Sequence, residues 1–214
     1  MRTIYVAGVN RRALAEVAAG CAYWLLSFGS LPRRWPIWLD AYLAGRSVLW
    51  DPGTFAERHP TYEQYCRLLA DHAQRGHEAL AYDVIGDGEQ TSWYLRDMQR
   101  RGLPVTPIWQ RGMDSSLLES PRCAVGGLVP LTPTERAALL ASLFWHADGT
   151  LRPVGRVHLL GMGSRGLFAK VPAISGDSRS WLGPWRWNRQ RSMTDWMAAY
   201  GKQWIPLQAQ GRFC

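Results

Sequence analysis

Short β-prone runs alternate with helical stretches along most of this chain, and that alternation limits the folds open to it. Residues 3–9 read as a strand, and Asn10 is placed to cap a helix over 11–19. An apolar run at 24–28 precedes the turn Gly29-Ser30-Leu31-Pro32, and 37–40 reads as a second strand ending in Asp40. A helix over 62–75 stops at Gly76, followed by a strand at 78–83, a helix over 90–101 closed by Gly102, and a strand at 104–109. A short helix near 115–119 leads to a strand at 123–125, ended by Gly126-Gly127. Thr132 and Thr134 open the strongest helix, which runs to His146. A strand at 156–160, a short helix at 164–170 and a short strand at 173–175 then bring the chain to Gly176-Asp177. Strands separated by helices with short connections require parallel pairing. The choice lies between an open doubly wound sheet and a closed barrel. Seven or so β units, with polar or glycine residues at consecutive strand ends, favour a compact (β/α)8-type TIM barrel.

A single domain over 1–214 is expected, because 214 residues suffice for one substantial core and no linker, repeat or low-complexity tract divides them. The segment 182–214 is less regular and reads as a basic, aromatic closing piece, with a terminal helix at 194–200. At 47% hydrophobic and 20% charged residues the composition excludes a disordered chain. No apolar run nears the roughly 20 residues that span a bilayer. The opening Met1-Arg2-Thr3-Ile4-Tyr5-Val6 reads as a strand rather than a secretory signal, so a cytoplasmic protein is expected. Cys21, Cys66, Cys123 and Cys214 are far apart with no Cys-x-x-Cys pair, which predicts neither zinc nor a disulfide framework.

The net charge is +8, from 25 Lys+Arg against 17 Asp+Glu, and lysine occurs only at Lys170 and Lys202. Such an arginine excess has two readings. It suits phosphate and stacking contacts with a nucleic acid; it also follows from arginine-rich codon usage in a high-GC genome.

In parallel α/β folds, residues just past the C-terminal strand ends converge on one site. Those positions hold Asp40, Asp83, Gly126-Gly127, Gly161-Met162-Gly163 and Asp177. A lone aspartate at such a place is most often a helix cap or turn residue, and Asp87 is read that way because a helix follows it closely. Three carboxylates at three strand ends point instead to a shared site.

The order of Asp40 at an early strand end, then "YDVIGD", "AVGGLVP", "VHLLGMG" and "GDSRSW", resembles the tRNA-guanine transglycosylase superfamily. Similarity is greatest to the short phage and bacterial relatives that place 7-deazaguanines in DNA, and it covers roughly 37–181 through short motifs. The resemblance implies exchange of guanine in DNA or tRNA for a 7-deazaguanine (preQ0-like) base through a covalent aspartyl-sugar intermediate, with no cofactor. It implies Asp177 as the nucleophile on C1′, Asp40 as general acid/base and Asp83 as reader of the purine edge. Gly126 and Gly127 would offer amide donors to the base, with Gly161 and Gly163 leaving room beside it. The Cys/His zinc site that follows the barrel in the bacterial tRNA enzymes has no counterpart here. Where the shorter relatives lead one to expect Asp-Ser-Gly after the second strand, this chain has Asp40-Ala41-Tyr42.

Other signals are weaker. Gly161-Met162-Gly163-Ser164-Arg165-Gly166 matches a dinucleotide fingerprint, but it lies late in the chain before too short a helix. The five histidines show no ligand spacing, and His158, within a strand, reads as a core residue. Arg179, Arg186, Arg189 and Arg191 interleave with Trp181, Trp185 and Trp187. This stretch reads either as a solvated loop with packed tryptophans or as a surface gripping phosphates and stacking on bases. Two other activities stay open alongside base exchange: an N-glycosidase on a nucleoside or nucleotide, and a catalytically silent nucleic-acid-binding barrel.

Overall fold

The computed structural model describes residues 3–10, 12, 15, 23–31, 37–56, 59–72, 77–162 and 165–178. The expected closing segment 182–214, Gly163, Arg179, Arg186, Arg189 and Arg191 lie outside them.

Strands and helices alternate as the sequence predicts, and among the described residues every pairing between the named strands is parallel. β1 (Thr3–Ala7) and β2 (Tyr23–Ser27) lead to α1 (Ile37–Leu43) and β3 (Ser47–Asp51). α2 (Tyr62–His72), β4 (Glu78–Leu80) and α3 (Gly88–Arg100) follow. Next come β5 (Val105–Thr106), β6 (Ile108–Trp109) and β7 (Arg122–Val125). α4 (Pro133–Phe144), β8 (Arg156–Leu159), α5 (Arg165–Lys170) and β9 (Ser175–Ser178) complete the described chain. The pairing order is β5-β4-β3-β2-β1-β9-β8-β7-β6. Its two ends, β5 and β6, are chain neighbours separated only by Pro107, which has no N–H to give a ladder. The architecture is an alternating β/α, TIM-barrel-like one.

Two-residue alternation sorts the strand side chains between two environments. Tyr5, Ala7, Leu25, Leu49, Leu80, Ile108 and Ala124 meet one another in a cluster built from six strands. Their neighbours along the same strands face the helices instead. Trp24, Leu26, Val48 and Trp50 pack with Leu39, Tyr65, Leu69 and Met98 from α1, α2 and α3. Cys123, Val125, Val157 and Leu159 pack with Leu140, Phe144 and Phe168 from α4 and α5. The inner positions next along β3 and β9 are polar, and they carry the site.

Helix starts follow the sequence closely. Thr132 accepts from the Glu135 amide while Glu135 reaches back to the Thr132 amide, with Pro133 at the first turn, a full capping box. Asp87 accepts from the Gln90 amide and caps α3, as the sequence predicts.

Two elements are corrected. The last strand is Ser175–Ser178 rather than 173–175, so Asp177 lies within it and not beyond it. Residues 37–40 are not a strand: they belong to α1, and Asp40 stands on that helix, exposed to solvent. The run Ile37-Trp38-Leu39 holds aromatic and β-branched residues, yet Leu39 and Leu43 repeat at helical spacing and both are buried. The strand lies further on, at Ser47–Asp51, and it too ends in an aspartate.

Candidate active site

At the C-terminal ends of the strands lies a cavity of about 570 Å³ into which Asp51, Asp83 and Asp177 all face. The three residues are only 7%, 4% and 6% exposed. They come from β3, the segment after β4, and β9. Gly126, Gly127 and Gly161 line the same cavity, whereas Asp40 does not. The structure therefore brings Asp83, Asp177, Gly126, Gly127 and Gly161 together and leaves Asp40 outside.

Asp51 is the residue that sequence reading passes over. It pairs in register with Ser27 of β2, and both side chains lie at the cavity. Asp51 ends β3 and is followed by Pro52-Gly53. The signal was present in "SVLWD", a strand-forming run ended by a carboxylate and then Pro-Gly. Burial pushes the Asp51 carboxyl up to about 8, the charges of Asp83 and Asp177 push the same way, and the Gly53 amide and Ser27 hydroxyl oppose them. Near neutral pH this acid carries its proton.

Asp83 is fixed from two sides. Thr54 Oγ1 donates to Oδ1 at 2.8 Å, and Gln110 Nε2 donates to Oδ2 at 2.7 Å. Burial raises its pKa, and these two donors pull it back. Thr91 of α3 pins the following loop: its hydroxyl accepts from the Val84 amide at 2.9 Å and donates to the Asp87 carbonyl at 2.7 Å. Each Asp83 oxygen keeps a second lone pair for an incoming donor.

Gln110, fully buried just after β6, was also missed by sequence reading. It lies beneath Gly126-Gly127, where a Cβ on Gly126 would collide with its Nε2. A side chain there would drive Gln110 off Asp83. The missing Cβ is what lets the glycine backbone form one wall of the cavity.

Asp177 Oδ1 accepts from the Gly161 amide at 2.8 Å, and His158 Nε2 lies 3.3 Å from the same oxygen. Gly161 has φ of +67°, the left-handed region that favours glycine. The Gly161 amide is thus committed to a carboxylate, and α5 beyond it has six residues, so the Gly-x-Gly-x-x-Gly run is not arranged as a dinucleotide site. Gly161→Ala is expected to cost about 1–2 kcal/mol from backbone strain, because a Cβ there also meets Val129. Chemical denaturation should read this loss, and an unchanged midpoint would contradict the constrained turn.

The mouth of the cavity is apolar. Phe55, Ile85 and Val129 line it and are themselves exposed. Such a site offers carboxylates at its floor, glycine backbone on one wall and apolar side chains at its rim. The Gly126 amide is not a donor to it, contrary to the sequence expectation, because it is spent on the Trp109 carbonyl at 2.9 Å. Among the described residues, no group of three or more His, Cys, Asp or Glu side chains is arranged to hold a metal ion. No helix among them is long and apolar enough to cross a membrane. In comparisons with known proteins, no family model matches the chain and no curated protein matches it significantly.

Proposed function

We propose that this chain is a base-exchanging transglycosylase, which replaces guanine in a nucleic acid by a 7-deazaguanine base. The observation that carries the reading is the convergence of Asp51, Asp83 and Asp177, all buried, on one cavity at the strand ends. Burying three carboxylates together opposes folding and is poor scaffolding. It suits a reaction that needs a nucleophile, a proton carrier and a polar reader.

In this reading Asp177 forms a bond from Oδ2 to the sugar C1′ as the C1′–N9 bond breaks. The bonding pair leaves with the purine, which takes the proton that Asp51 holds. The incoming base then returns a proton to Asp51 and attacks C1′, and Asp177 leaves as a carboxylate. Asp83 accepts from N1–H and the 2-amino group of a guanine-like edge, with Gln110 and Thr54 keeping its oxygens in place. Gly126 and Gly127 let the ring approach the backbone, and Phe55 and Val129 offer apolar cover for its faces. The general acid/base role thus moves from Asp40 to Asp51.

The pairing order supports a finer fold within this proposal. If β5 and β6 act as one strand broken at Pro107, eight parallel strands return on themselves as a closed (β/α)8 barrel. The short phage and bacterial relatives of the tRNA-guanine transglycosylases then remain the reference for this chain, acting on DNA or tRNA in the cytoplasm. The arginine excess suits such a polymer.

The test is incorporation of labelled guanine, or of a labelled 7-deazaguanine such as preQ0, into duplex DNA and into tRNA by the full chain. Label entering one polymer supports exchange and names the substrate. Release of guanine without incorporation would favour the N-glycosidase reading. Binding without either reaction would leave a nucleic-acid-binding barrel and overturn the proposal.

A further inference from the structure

Beneath the cavity, two polar side chains that the reaction scheme leaves unused, Ser175 and His158, form a chain of contacts to Asp177. His158, on β8, is 5% exposed. Its Nδ1 lies 3.0 Å from Ser175 Oγ, and its Nε2 lies 3.3 Å from Asp177 Oδ1. Ser175 and Asp177 are two residues apart on β9, so both side chains fall on the same face of that strand. Ser175 pairs in register with His158, the deeper of the two contacts. Tyr5, across β1, packs edge-on to the His158 ring with centroids 5.3 Å apart. The set resembles a serine–histidine–aspartate relay, but its direction is reversed: Asp177 lines the cavity, while Ser175 does not.

We infer that His158 is a positioning residue for Asp177, donating Nε2–H to Oδ1 so that Oδ2 is presented to the cavity. A carboxylate oxygen accepts hydrogen bonds, so the ring nitrogen facing Asp177 must be the one that carries a proton. Ser175 secures this tautomer by offering its hydroxyl to Nδ1. A half-turn of the ring would put carbon where each nitrogen now bonds, so the two contacts together set its orientation. The Gly161 amide is the second donor to the same oxygen. Among the described residues neither donor touches Oδ2, which leaves that oxygen for bond formation. The assignment of Oδ2 to a sugar carbon rests on the proposed function; the hydrogen-bond arrangement does not.

Two measurements on the full chain keep those parts separate. In ¹⁵N-histidine NMR, with His158 assigned from its absence in His158→Gln, Nε2 should be protonated. An Nε2 without a proton would overturn the inference whether or not the chain exchanges guanine. In the labelled-guanine assay, His158→Phe removes the donor and should lower kcat by about 100-fold with KM nearly unchanged. His158→Gln, which keeps an N–H within reach of Oδ1, should recover most of that loss. Equal losses in the two variants, or a loss confined to KM, would reduce His158 to a packing residue. An inactive wild-type chain with a protonated Nε2 would sink the base-exchange reading and leave the positioning of Asp177 standing.

Discussion

Asp177→Asn should abolish base exchange, by about 10⁴-fold or more, while the protein stays folded and still binds its nucleic acid. In the proposed mechanism Asp177 is the nucleophile, and removing the nucleophile of a covalent mechanism leaves only the catalysis that binding and positioning provide. Asparagine is the informative replacement because its amide oxygen can still accept from the Gly161 amide and His158 Nε2. Alanine would strand two buried donors, at about 1–3 kcal/mol each, and confuse a folding loss with a catalytic one. The neutral side chain should also ease the ionisation of Asp51, because the Asp177 charge is one of the causes raising it. Single-turnover guanine release measures the first effect. Exchange that persists within tenfold of wild type would remove Asp177 from the chemistry.

Asp51→Asn should lower exchange by about 10² to 10⁴-fold, the range general acid–base catalysis supplies, and should make the protein more stable in alkali. The sign follows from where the proton sits. Asp51 titrates at about 8 when folded and near 4 in an unfolded chain. Between those limits the folded state binds the extra proton, so stability falls as pH rises through that window. Asparagine cannot ionise and is spared this loss. Denaturation by urea at pH 8.5 should therefore favour the variant by a few kcal/mol, with the gain shrinking toward pH 4. Burial also raises Asp83, so part of the wild-type slope should survive in the variant. Asp40→Asn, on the exposed face of α1, should change neither quantity. Loss of exchange in Asp40→Asn with none in Asp51→Asn would restore the assignment made from sequence.

The contrast between Asp40, outside the cavity, and Asp51, inside it, shows where the sequence was readable. Asp83, the glycine pair and Gly161 were found because each follows or ends a run whose strand character is unambiguous, whereas the strand that carries Asp177 begins two residues later than the run read for it. The parallel alternation puts such positions at one end of the fold. The capping role of Asp87 was legible because the helix after it begins at once. Asp51 was hidden by a local ambiguity. "IWLDAYL" and "SVLWD" are both short, apolar and aromatic, and runs of that length carry too few periods to separate helix from strand. What decides between them is tertiary: Leu39 and Leu43 pack on the outer face of the sheet, while the β3 ladder against β2 and β4 claims residues 47–51. Gln110 was passed over and His158 was read only as a core residue for another reason. Each acquires its meaning through a partner far along the chain, Asp83 and Asp177 respectively.

The central claim is a covalent bond between Asp177 and a sugar. Mass spectrometry of the protein, quenched in acid during turnover on the polymer that exchanges guanine and then digested, tests it directly. A covalent intermediate at Asp177 yields a peptide spanning that residue that carries the mass of a base-free nucleotide, absent in Asp177→Asn and depleted when free base is added. An adduct on any other residue, or exchange that proceeds with no adduct, would contradict it.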